Sequence, residues 1–177
     1  MSTYYRTISI SLSVDSADGK KPSEMEIAFA KLAHGKFTTH SGDHEHEMQI
    51  STVNSRTFSK GKDIWVDACS RDNALNGTEG SFEIWNVAPL VWASGASPFP
   101  SSPDSHRIVR VNWKMPDGKI LQPQDEPTMD VKESMSGYYD VSWNYDVSST
   151  DERDALLQPY VRATINGSIE IIEKKKP

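Results

Sequence analysis

The sequence predicts an all-β protein, a single-domain antiparallel β-sandwich with at most one or two short helices. Three observations predict it: repeated alternation of apolar and polar residues, turn dipeptides between the alternating runs, and a length of 177 residues that suits one domain. Ile8, Ile10, Leu12 and Val14 alternate with Ser9, Ser11 and Ser13, so every second side chain points to one face. Val109, Val111, Trp113 and Met115 repeat the pattern against Arg110, Asn112 and Lys114. Tyr139, Val141, Trp143, Tyr145 and Val147 follow it, and so do Val161, Ala163, Ile165, Ile169 and Ile171. Shorter runs occur at Met48 and Ile50, at Ile64, Val66 and Ala68, and at Phe82 and Ile84. Asp18-Gly19, Gly61-Lys62, Asn76-Gly77 and Asp117-Gly118 punctuate these segments as turns, at a spacing that favours antiparallel pairing over βαβ units.

Two segments also carry helix signals. Ser23-Glu24-Met25-Glu26 fits a capping box, but Met25, Ile27 and Phe29 alternate with Glu24, Glu26 and Ala28, and of the two we read a strand. Ser149-Thr150-Asp151-Glu152 caps a short helix through Leu157, stopped by Pro159. One domain spans 1–177, with loop elaborations expected at 86–105 and 121–136. The first of these has Pro and Ser around Pro89-Leu90-Val91-Trp92 and Phe99, and exceeds ordinary connections.

Composition narrows the function classes. Nineteen Lys and Arg against twenty-five Asp and Glu leave a net charge of −6, which argues against nucleic acid as a partner. A mean hydropathy of −0.58 agrees with strands that keep one face wet. The longest stretch without charged residues or His, Ile84–Pro103, is broken by four prolines, so no spanning helix is expected. Met1-Ser2-Thr3-Tyr4-Tyr5-Arg6 shows no basic region ahead of an apolar block, and the expectation is a soluble chain made without a signal peptide. Cys69 stands alone, so no intrachain disulfide forms.

Chemistry-bearing clusters are sparse. His40-Ser41-Gly42-Asp43-His44-Glu45-His46-Glu47 gathers three His and three acids, with His44 and His46 on one side if extended. A metal would need a defined fourth ligand, and the cluster suits a polar loop that gains charge below about pH 6.5. Cys69 has Arg71 nearby but no His in its segment, which fits a buried thiol better than a nucleophile. Nucleophile-elbow, phosphate-loop and zinc-protease patterns are missing, so neither an enzyme nor a cofactor is expected. Asn76-Gly77-Thr78 and Asn166-Gly167-Ser168 are formal glycosylation sequons that read as turns.

The run from Ala68 to Ile84 resembles the aegerolysin family. Ala68-Cys69-Ser70-Arg71 is similar to that family's Ala-Cys-Gly-Arg, and a short polar loop then leads to Gly77-Thr78-Glu79-Gly80 where the family has Gly-Thr-x-Gly. Trp113-Lys114-Met115-Pro116-Asp117-Gly118 is similar to its Trp-Asp-Cys-Pro-Trp-Gly, keeping Trp113, Pro116 and Gly118. Gly35-Lys36 falls where family members carry a similar pair. The resemblance implies a β-sandwich that binds sphingolipid-rich membranes or a cell-surface receptor, and a larger perforin-like partner that makes the pore. It implies action at a target cell membrane after release, in some relatives as half of a two-component insecticidal toxin. Homo-oligomer formation stays open.

Arg71, Asn76, Thr78, Trp113 and Asp117 are the lipid-binding residues the resemblance implies, and Trp92 is added on its composition as an apolar contact. Asn76 stands where lipid-binding members have an acid, Met115 replaces the Cys, and Asp117 replaces an interfacial Trp. The charge of −6 favours neutral or zwitterionic headgroups over anionic ones. Two rival readings are a carbohydrate-binding module stacking sugars on Trp85, Trp92 or Trp113, and a hydrolase using Cys69 with the His cluster.

Overall fold

The computed structural model describes residues 6–40, 46–71, 77–87, 107–115, 127–134, 137–150 and 162–174. In chain order the elements are β1 (Arg6–Ser16), β2 (Met25–His34), β3 (Lys36–Thr38), β4 (Glu47–Met48), α1 (Ile50–Val53) and β5 (Thr57–Phe58). They continue with β6 (Ile64–Cys69), β7 (Thr78–Asn86), β8 (Arg107–Met115), β9 (Thr128–Glu133), β10 (Tyr139–Thr150) and β11 (Arg162–Glu173). Among the described residues these strands build one sheet ordered β10-β11-β1-β6-β3-β4 and a second ordered β5-β2-β7-β8-β9.

The alternating residues form the filling between the two sheets. Ile8, Ile10, Leu12 and Val14 of β1, with Ile165, Ile169 and Ile171 of β11, are buried against Ile27, Phe82, Ile84, Val109 and Val111 of the second sheet. Each such side chain removed from water contributes about 1.5–3 kcal/mol, so the period-two pattern carries most of the driving force for this architecture.

Several expectations change at the level of pairing and local shape. β1 and β11 pair in parallel, with Ile8 opposite Ile165 and Leu12 opposite Ile169, while the other ladders are antiparallel. Turn dipeptides report only on neighbours in sequence, so this union of the first and last described strands leaves no local mark. Ile50 begins the four-residue α1 instead of continuing a strand from Met48. Asn166-Gly167-Ser168 lies inside β11 and is no turn; a β-carbon on Gly167 would sit 2.6 Å from the Met129 sulfur, so the glycine makes room for β9. Ser149 and Thr150 end β10 as strand, and the rest of the expected helix lies outside the described residues. The 121–136 elaboration contains β9, whose Met129 and Val131 are buried. Of 86–105, only Asn86 and the neighbouring Val87 are described.

The segment 25–34 is a strand, as read, but with a bulge. The β2–β7 register shifts between Ala28 and Lys31, and Phe29 takes a left-handed φ of 52°. The shift turns Phe29 outward and Ala30 inward. The Asn54 carboxamide steadies the bulge by accepting the Ala30 N–H at 2.7 Å.

Gly35 joins β2 to β3 at φ 100°, and a β-carbon there would collide with the Cys69 carbonyl and approach the Thr78 hydroxyl at 2.9 Å. Gly35→Ala therefore meets backbone strain and a steric clash together. It is expected to cost at least about 2 kcal/mol, read as a lowered urea midpoint at unchanged m-value.

Glu173 closes the other end by accepting the Ser23 N–H at 2.8 Å. Burial lifts its carboxyl above the ordinary glutamate range, partly offset by the Ser23 hydrogen bond. The fold thus favours the protonated form: this contribution to stability is complete at low pH and is lost as pH rises through the folded pKa. Glu173→Gln keeps an acceptor for Ser23 without the charge. Its melting temperature relative to the parent is expected to be higher at pH 7 than at pH 4; an equal difference at both values would refute this assignment.

Candidate functional site

The aegerolysin-like segment brings β6 and β7 to one end of the sandwich. Arg71 follows β6, Gly77 precedes β7, and the β2–β3 corner at Leu32, Ala33, His34 and Gly35 stands beside them. With Ile50 of α1 these residues line an open pocket of about 350 Å³. Its wall mixes an imidazole, a guanidinium, two glycines and apolar side chains, a composition suited to a charged or zwitterionic group carried on an apolar body.

Arg71 is 61% exposed and donates to the Glu47 carboxylate at 2.8 Å. An exposed pair of this kind contributes roughly 0–1 kcal/mol, so exchanging Glu47 for an incoming phosphate costs little. Arginine is also well shaped for phosphate, offering two parallel N–H donors.

Thr78 and Trp113 sit beneath the pocket and do not reach its surface. Both are buried, and the Trp113 indole N–H donates to the Thr78 hydroxyl at 3.2 Å. The Trp113 ring packs over Gly80, where a β-carbon would come within 2.6 Å of it, and lies edge-on to Phe37 at 5.9 Å. Thr78 in turn packs against Gly35. These two side chains help to seat Gly35 from below, whereas Arg71 is the exposed member of the motif. Asn76, Asp117 and Trp92 lie outside the described residues.

Phe29 breaks the alternation of its strand by facing solvent. It is 59% exposed in a strained backbone conformation, against Trp85 with ring centroids 5.9 Å apart. A bulky residue at positive φ stores about 1–3 kcal/mol, which a solvent-facing benzyl group does not recover by packing. Phe29 lies on the same strand as the pocket residues Leu32, Ala33 and His34. Its only sequence clue is the string of alternation at Met25, Ile27 and Phe29, which points the wrong way.

The other clusters have different placements. Cys69 is buried. His40 binds Asp67 and stacks on Trp65, while His44 lies outside the described residues. Among the described residues no group of three or more His, Cys, Asp or Glu is arranged to hold a metal. Trp85 is half-buried with its indole N–H on Glu83 at 3.0 Å. With Trp113 in the core, neither presents the open stacking face that the carbohydrate reading gave it.

Comparison with known proteins bears on the same segment. A family model described as Aegerolysin matches residues 9–92, a span that holds every lining residue of the pocket as well as Phe29. Aegerolysin Aa-Pri1 of Cyclocybe aegerita is 37% identical over 62 residues, which is 35% of this chain and 42% of that relative, so the match spans less than half the length of either. Two crystal structures share the fold. IP-1A from Alcaligenes faecalis superposes with a TM-score of 0.61 at 18% identity, covering 96% of this chain and 92% of that one. The RahU protein, solved with a TRIS molecule, gives 0.58 at 16% identity, covering 99% and 98%. The Cys69–Gly80 segment lies inside the matched span, and it is residues 9–92 that carry the chain's similarity to the aegerolysin family.

Proposed function

We propose that this protein recognises a zwitterionic sphingolipid-type headgroup at a membrane surface through the Arg71 pocket, with Phe29 as the side chain that meets the bilayer interface. The observation that carries the reading is Phe29, an exposed aromatic held at φ 52° on the strand that also lines the pocket. Folding gains only the Trp85 ring contact from that arrangement, whereas a lipid surface repays an exposed benzyl group by about 1.5–3 kcal/mol. Arg71 supplies a phosphate contact, and Gly35 and Gly77 let a headgroup approach the backbone. The net charge of −6 weakens general attraction to anionic lipid and leaves selectivity to the pocket.

Pore formation belongs, in this reading, to a second chain of perforin-like fold that the adsorbed protein recruits, as in a two-component and insecticidal toxin. Among the described residues no helix is long and apolar enough to cross a membrane, and most of the alternating apolar residues lie in the sandwich interior. The present chain contributes recognition, and leakage is expected only when the partner is added.

Phe29→Asn separates binding from folding, because Asn tolerates the left-handed region. We expect its melting temperature to stay level or rise, while co-sedimentation with sphingolipid and cholesterol vesicles weakens about tenfold, the equivalent of 1.4 kcal/mol. Arg71→Ala is expected to weaken the same binding by a similar factor at unchanged stability. Undiminished vesicle binding by both variants would defeat the proposal.

A further inference from the structure

A second pocket lies at the opposite end of β3, on the outer face of the six-stranded sheet. Its volume is about 200 Å³, and its polar lining is Thr7 and Ser9 of β1, Thr39, His40, Asp67 of β6 and Thr164 of β11. The register explains the grouping: Ser9 stands opposite Asp67 on one side and Asn166 on the other, and Thr7 stands opposite Thr164. Thr7 and Thr164 share a hydrogen bond at 2.6 Å. Asp67 is only 5% exposed, with one carboxylate oxygen 2.7 Å from His40 Nδ1.

Trp65 stands two residues before Asp67 on the same face, 38% exposed, with His40 stacked parallel to it at 4.3 Å. Thr38 lies across the ladder from Asp67, and its buried hydroxyl has no hydrogen-bond partner among the described residues. Beyond the pocket the face continues in hydroxyl and amide groups. The Ser168 hydroxyl donates to Asn144 at 3.1 Å, and the Asn166 amide donates to Ser148 at 3.4 Å.

We infer that this pocket binds a single neutral pyranose, with Asp67, Ser9 and the Thr7–Thr164 pair on its hydroxyl groups and Trp65 at its rim. Alternative ligand chemistries fit less well. Among the described residues no Lys or Arg lines the pocket, and a nearly buried carboxylate repels an anion, so a phosphate is disfavoured. A cation would have to displace His40 from Asp67. An acyl chain would bury hydroxyl groups without replacing their hydrogen bonds. A sugar hydroxyl both donates and accepts, which matches a set of Ser, Thr and Asp side chains, while the ring's C–H face suits the stacked His40–Trp65 pair at the rim. The volume admits one ring and leaves the Ser168–Asn144 row to meet any further residue of a glycan. This site is separate from the Arg71 pocket, and the inference does not rest on lipid recognition there.

The test uses the full chain with glucose, galactose, mannose and N-acetylglucosamine, followed by saturation-transfer NMR and calorimetry. A parallel arm uses phosphatidylcholine vesicles with and without glucosylceramide, to separate a free glycan from a glycolipid headgroup. At least one of these probes is expected to bind, and Asp67→Asn and Trp65→Ala are each expected to weaken that binding tenfold or more with unchanged circular dichroism. Arg71→Ala should leave it intact. Binding to free sugar or only to glucosylceramide vesicles both support the site, provided Asp67→Asn removes it. The inference is overturned if no probe binds, if binding survives in both Asp67→Asn and Trp65→Ala, or if Arg71→Ala abolishes it instead. Should Trp65→Ala fail to fold, Asp67→Asn alone, which preserves shape, decides the matter.

Discussion

The close packing around Trp113 is the constraint on which this end of the molecule depends. One indole touches Phe37 of the first sheet and Phe82 of the second, lies over Gly80, and hydrogen-bonds Thr78. Thr78 then abuts Gly35, whose missing side chain lets the β2–β3 corner press onto the Cys69 carbonyl. Each contact fixes the next, so the position of the corner against the end of β6 follows from the core. The pocket beside Arg71 is the outer surface of that packing. Its geometry is inherited from buried residues, and the group that meets a ligand has freedom to exchange partners.

That division suits recognition at a surface. The interior takes most of the alternating apolar residues, Trp143 and Val147 of β10 stay partly exposed, and strain is tolerated in the middle of β2. Phe29 is exposed through a bulge that breaks the β2–β7 register. Strained residues persist where the surroundings over-determine them, and here Asn54 holds the neighbouring amide of Ala30. The Arg71–Glu47 pair sits at the other extreme, exposed and weak, ready to be replaced. A rigid floor, a strained apolar tip and a loosely engaged cation make a coherent reader of an amphipathic ligand.

Much of this fold was legible in the sequence because a half-buried strand writes its geometry at period two. β1, β6, β8 and β11 present inward the residues that alternation selects, Trp113 among them. The same rule turns Trp65 outward, although its significance emerges only when Ser9, Asp67 and Thr164 come together from three strands. Pairing between β1 and β11 was invisible, since no turn links them. The outward turn of Phe29 is not legible in the sequence, because one inserted residue reverses the facing of a strand and a bulge depends on tertiary contacts such as Asn54. Ile50 was misread for a related reason, since one apolar residue after Met48 fits a helical turn as well as a strand. The Cys69-to-Gly80 motif brings Arg71 and Gly77 to one pocket, while alternation already assigns Trp113 to the interior.

The central claim is that the β2–β3 corner and the end of β6 meet lipid headgroups. Amide NMR of the labelled protein, titrated with nanodiscs containing sphingolipid and with nanodiscs lacking it, tests this most directly. The account predicts line broadening or shifts, specific to sphingolipid, centred on Phe29, His34, Gly35, Arg71 and Gly77, with β10 and β11 unperturbed. Perturbation confined to β10 and β11, or no difference between the two nanodiscs, would contradict it.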